Sequence, residues 1–184
     1  MKLAFVMALV TGPVLAETCP PGGDYSDELA DLVIAANTAP DERAGRAVSD
    51  QMWEVWLRAP DEAAQTALDQ GMRQRSSYDF AGAYDSFARL VDYCPAYAEG
   101  YNQRAYISYL REDYPAALVD LDAALALSPN HVAAQSGRAL TLMQLGRAGE
   151  ARTQLLAALA NNPWLSERGL LVSGGPLAPK GEDI

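Results

Sequence analysis

The sequence predicts an all-α chain of stacked helix pairs, and three observations predict it. Pro95, Pro129 and Pro163 are evenly spaced at 34 residues. Each closes a run of good helix formers: FARLVDYCP, LDAALALSP and LLAALANNP. Between the prolines, residues of matched size recur in register: Gly71, Ala105 and Ala139; Ala83, Ala117 and Ala151; Phe87, Leu121 and Leu155; Val91, Leu125 and Leu159. Proline has no N–H and clashes with the preceding turn, so each helix must end just before it. Small residues fall where two helices approach closely, and large ones follow along the same helical face. Each unit reads as helix, turn, helix and proline stop. Such a pair cannot bury its apolar face alone, so neighbours stack into a solenoid.

The elements follow in order. Residues 1–16 combine a basic Lys2, an apolar run over 3–10, a Gly12-Pro13 break and the small residues Val14 and Ala16. That is the pattern of a secretory signal peptide cleaved after Ala16. The apolar stretch is too short for a span, which needs about 20 residues. The mature protein is therefore expected in the periplasm of a bacterium, soluble and without membrane insertion. Residues 17–62 form an N-terminal arm and a degenerate capping helix pair. In it, 26–37 carries Leu29, Leu32 and Val33 on one face, and 41–58 carries Val48, Met52, Val55 and Trp56. Residues 63–163 hold three repeat units, at 64–97, 98–131 and 132–163 plus linker. Asn130 is the expected N-cap of a helix over 131–145. Residues 164–184 give a short capping helix and a flexible tail rich in Gly and Pro.

At this point the residues carry a resemblance. The period of 34 and the order Gly/Ala, Tyr/Phe, Ala, Phe/Leu, Pro resemble the tetratricopeptide repeat. The middle unit matches best, with Tyr101, Ala105, Tyr114, Ala117, Leu121, Ala124 and Pro129. The third adds Gly146 in its turn; the first has Ala67 and Gln74 where the family prefers large aromatics. The chain also looks like exported bacterial proteins of this arrangement. The resemblance implies a right-handed superhelix whose first helices line a concave groove. It also implies partner binding there rather than catalysis.

Loss of residues 1–16 removes Lys2 and no acid, leaving 13 basic against 24 acidic side chains. That balance disfavours nucleic acid and anionic membranes as partners. With one histidine and no HExxH, GxSxG or phosphate-loop pattern, no catalytic site, metal or cofactor is expected. His131 reads as a solvated turn residue. Cys19 and Cys94 are expected to form a structural disulfide in an oxidising compartment. Glu17 and Thr18 before Cys19 argue against a lipoprotein cysteine.

Six of the nine tyrosines lie between Tyr93 and Tyr114. Tyr101 and Tyr114 fall at positions between helices. Tyr106 and Tyr109, with Glu99, Asn102 and Leu110, fall on the face that lines the groove in this family. Met72 and Arg75 are their counterparts in the first unit, and Leu140, Met143 and Gln144 in the third. Tyrosine offers area at low entropic cost and methionine adapts to irregular partners. In some cytosolic relatives, the resemblance implies, lysines and asparagines on this face bind a peptide's C-terminal carboxylate. Here Asn102 alone survives, since Leu68, Met72, Ala133 and Gly137 fill the other positions. The expectation is a non-enzymatic adaptor that holds a segment of another envelope protein in this groove. The alternatives are a glycan-binding module, against which the absence of tryptophan platforms in the groove would count, and a structural subunit whose groove is filled by its own N-terminal arm.

Overall fold

The computed structural model describes residues 18–179; the expected signal peptide lies outside them. Eight α-helices and a 3-10 turn follow one another: α1 (Ser26–Thr38), α2 (Glu42–Trp56), α3 (Glu62–Ser76), α4 (Phe80–Tyr93), α5 (Ala98–Leu110), α6 (Tyr114–Leu127), α7 (Val132–Gln144), α8 (Ala148–Asn161) and the turn Ser166–Leu171. The pairs α3–α4, α5–α6 and α7–α8 stack in chain order, each meeting the next.

The repeat is visible in the turns as well as the helices. Tyr78, Glu112 and Gly146 stand at the same position in successive units, and all have positive φ, at 62°, 61° and 73°. The first two accept the roughly 1–2 kcal/mol steric cost of that conformation, which glycine avoids. The next residue then caps the second helix. Asp79 accepts from Gly82 N–H and Asp113 from Ala116 N–H, at 3.0 and 3.2 Å. Arg147 takes that position in the last unit and makes no such cap. In the third pair the cap of the first helix is His131, whose ring accepts from Ala134 N–H. The helix begins at Val132, so His131 displaces the expected Asn130 as cap, one residue further on.

Buried positions repeat at the same interval. Ala83, Ala117 and Ala151 are wholly buried, and Phe87, Leu121 and Leu155 nearly so. Gly71 is needed where α3 crosses α4, because a Cβ there would stand 2.4 Å from the Phe87 ring. Each large apolar side chain contributes about 1.5–3 kcal/mol by leaving water.

The N-terminal pair is present, and its packing partner is the far end of the stack. α1 lies against α8. Asn37 Nδ2 donates to Ala160 O at 3.1 Å, Asn162 Nδ2 to Ser49 Oγ at 2.8 Å, and Trp164 Nε1 to Ala36 O at 2.9 Å. From there α2 runs back toward the first repeat. Its Met52, Val55 and Trp56 cluster with Val132 at the start of α7. Trp56 O then accepts from Tyr97 Oη at 2.6 Å, and Leu57 reaches the α3–α4 core. Cys19 and Cys94 are joined in a disulfide, which fastens the arm to the end of α4. α2 thus closes one side of the groove.

Of the tail read as flexible, the described part, 172–179, instead returns to the protein. Leu177 is buried beside Leu142 and Leu155, its N–H donates to Leu170 O, and its carbonyl accepts from Arg152. One leucine with both backbone groups paired outweighs the surrounding Gly and Pro.

Candidate functional site

The space between α2 and the concave faces of α3, α5 and α7 is a cavity of about 720 Å³. Of the ten residues expected to line the groove, Met72, Arg75, Asn102, Tyr106, Tyr109 and Leu140 stand in its wall. Tyr106 is about half exposed, with the Arg75 guanidinium 5.4 Å from its ring centre. Tyr109 is held edge-on to Tyr114 and accepts from Gln144 at 3.4 Å. Gln144 therefore braces an anchor from outside the wall.

The other three lie elsewhere. Leu110 packs on the core of the first pair and Met143 on that of the last. Glu99 is 1% exposed and sits beneath the groove floor. Its carboxylate accepts from His131 Nε2 at 2.9 Å, from Asn102 Nδ2 at 3.0 Å and from Gln103 Nε2. Arg75 donates to Gln103 Oε1 at 2.6 Å, which ties the network to the cavity wall. His131 is 1% exposed, not solvated. Its Nδ1 accepts from Ala134 N–H, so Nε2 carries the hydrogen given to Glu99. Trp56 lies flat on the imidazole at 4.2 Å and 14°. Docking of α2 is what buries this histidine.

Sequence reasoning missed the second wall. Trp53, Trp56 and Trp164, with Met52, Ser49 and Asn162, line the cavity from α2 and the segment after α8. The expectation that tryptophans are absent from the groove is corrected. They are not open platforms, however. Trp56 has His131 on one face and Trp53 at its edge, while Trp164 lies against Gly45 with Arg168 over its ring. The apolar moment of α2 signalled a buried face; nothing local signalled which surface it meets.

Burial pushes the Tyr97 phenol above its ordinary value near 10, and the Glu99 charge adds to the shift. Tyrosines in the unfolded chain ionise near 10. The stability gained from neutral Tyr97 is thus complete below that pH and is lost as pH rises beyond it. Urea unfolding between pH 8 and 11 should show wild type losing stability above about pH 10. Tyr97→Phe should start about 1 kcal/mol lower and lose less on the alkaline side. Equal alkaline slopes would move the effect to another group.

A family model for the tetratricopeptide repeat matches residues 109–164. Over those residues the chain is similar to the tetratricopeptide repeat, and its stacked helix pairs have that architecture. The tetratricopeptide repeat protein 36 homolog of Nematostella vectensis is 45% identical over 65 residues, 35% of this chain and 36% of that protein. The shared stretch is thus about a third of the relative's length. Among solved structures, the first repeat domain of Spaghetti (RPAP3), bound to the HSP90 peptide SRMEEVD, has a TM-score of 0.56. It is 21% identical, with 58% of this chain and 84% of that one covered. The TPR2B domain of yeast Sti1, in complex with pHsp70, also has a TM-score of 0.56, at 22% identity over 59% of this chain and 90% of that one. The Arabidopsis OM64 domain matches with a TM-score of 0.56, at 21% identity over 57% and 87%. At these identities the likeness is one of fold. Among the described residues no helix is long and apolar enough to cross a membrane, and no cluster of His, Cys, Asp or Glu suits a metal.

Proposed function

We propose that this protein is a non-enzymatic adaptor that holds a short segment of another protein in the cavity between its repeats and α2. The observation that carries this reading is the cavity itself. Its volume of about 720 Å³ falls in the range of ligand sites, and Tyr106 and Trp53 remain partly exposed within it. Two of the solved structures of this fold were determined with a peptide or chaperone partner. The partner is another envelope protein, and the compartment is the periplasm. Residues 1–16 have the charge and hydropathy order of an export signal, and the Cys19–Cys94 disulfide suits an oxidising space.

A second reading has one observation in its favour: α2 already covers part of the groove, as a self-filled structural subunit would require. The remaining cavity favours the adaptor. A glycan site fits less well, because the tryptophan faces are covered.

The test is crosslinking capture from the periplasm with wild type beside a folded Tyr106→Ala/Tyr109→Ala variant. The expected result is a partner recovered with wild type and reduced at least tenfold with the variant, as for loss of aromatic hot spots. A partner held equally by both would place the interface off this face.

A further inference from the structure

Two arginines stand in the cavity wall, Arg46 on α2 and Arg75 on α3. Arg46 pairs with Glu42, which also takes Arg168. Arg75 is half-buried, and its partners among the described residues are neutral. Its Nη1 donates to Gln103 Oε1 at 2.6 Å, and its guanidinium sits 5.4 Å from the Tyr106 ring centre. Gln103 and Tyr106 are themselves in the wall, so cavity side chains flank the guanidinium. Charge is therefore sorted along the cavity. At the start of α2, Glu42 and Glu167 are matched by Arg46 and Arg168. At α3 a cation stands without an acid, in a chain with 24 acidic against 14 basic side chains. A half-buried cation without a counter-charge is one that an anionic ligand satisfies.

The guanidinium is positioned before any ligand arrives. Gln103 is 2% exposed and gives its Nε2 to Glu99, which turns its Oε1 toward Arg75. Glu99 is fixed in turn by His131 and Asn102. A guanidinium carries more N–H donors than one amide oxygen can take, and its planar fork suits the two oxygens of a carboxylate. That carboxylate has two sources, an acidic side chain or a chain terminus. A terminus brings its backbone in with it, and the neighbouring amides that would serve that backbone are engaged, since Asn102 and Gln103 both donate to Glu99. A glutamate carries its carboxylate on a flexible stem, so its backbone stays at the mouth of the cavity.

We propose that Arg75 pairs with an acidic side chain inside the bound segment, and that this pair decides which segments the groove accepts. This rests on the peptide-binding reading above and adds the charge of the segment.

The experiment uses the mature, oxidised, 15N-labelled protein and three peptides, titrated separately. They are acetyl-Leu-Glu-Leu-amide, its neutral isostere acetyl-Leu-Gln-Leu-amide, and acetyl-Leu-Gln-Leu with a free C-terminal carboxylate. Leucines flank the test residue because Met52, Met72 and Leu140 make much of the wall apolar. The readout is the Arg75 Nε–H resonance, assigned by its loss in Arg75→Gln, together with the backbone amides of α3 and α5. The glutamate peptide is expected to bind roughly tenfold more tightly than either of the others, as for one hydrogen bond to a charged group. In Arg75→Gln, with its fold checked by urea unfolding, the preference should vanish while the neutral peptide binds as before. Arg75→Lys keeps the charge without the fork and should reduce the preference about threefold. Equal binding of the glutamate and glutamine peptides, a preference unchanged in either variant, a free terminus that binds as tightly as the glutamate, or binding by none of the three would each overturn the proposal. A captured partner alongside any of these would leave the adaptor reading standing. The expected preference with no captured partner would leave the Arg75 subsite and sink the adaptor.

Discussion

Reducing the Cys19–Cys94 disulfide is expected to lower the melting temperature by roughly 10 °C while leaving helix content near native. The bridge spans 75 residues. In the chain-entropy picture, closing such a loop in the unfolded state is worth about 4 kcal/mol. For a chain of this size each kcal/mol moves the midpoint by about 2–4 °C. Reduction is a cleaner probe than substitution, because Cys94 is buried against Phe87 and Leu90 and its sulfur fills core volume. The structure also says where the change appears first. The arm is held at the first repeat by the disulfide and at the last by Asn37, Asn162 and Trp164. Releasing one end should raise hydrogen exchange in α1 and α2 well before α3 to α8. Circular dichroism melts with and without reductant, paired with exchange mapping, would show both effects. An unchanged melt would remove the bridge as a source of stability. Helix lost at 25 °C would show that it does more than shorten the unfolded chain.

The link between arm and repeats marks the boundary of what the sequence could reveal. Repeat signals are local and recur three times: a proline stop, a small residue at each crossing, a large one a turn later. They placed the solenoid, and Cys19 with Cys94 were identifiable as a pair by elimination. The docking of α1 on α8 has no such signal. It joins Asn37 to Ala160 through contacts that no periodicity specifies. With the docking of the N-terminal pair come the burial of His131 under Trp56 and the second wall of the cavity. The errors within α5 and α7 have a finer cause. Neighbours such as Tyr109 and Leu110 sit about 100° apart on the helix. Only the actual tilt of each helix decided that Tyr109 lines the cavity while Leu110 joins the core. Glu99 is on the expected face, but the start of α7 covers it.

Glu99→Ala is accordingly expected to act on stability before it acts on binding. At an open groove position, removal of one carboxylate would cost a few tenths of a kcal/mol. Here three donors converge on it: His131 Nε2, Asn102 Nδ2 and Gln103 Nε2. Truncation would leave all three donors buried around a void, and a buried donor left unpaired costs about 1–3 kcal/mol. Two more contacts depend on the same carboxylate. His131 loses the hydrogen bond that fixes its ring under Trp56, and Gln103 loses its hold while still carrying Arg75. Both effects converge on the cavity, so α2 should loosen over α7. Glu99→Gln keeps the shape and one acceptor oxygen, and should lose less than half as much. Urea unfolding of the three proteins at neutral pH measures the difference, and Trp fluorescence reports α2. If Glu99→Ala were as stable as wild type, the carboxylate would have to be reachable by solvent, and Glu99 would return to the groove face as a residue that a partner can touch.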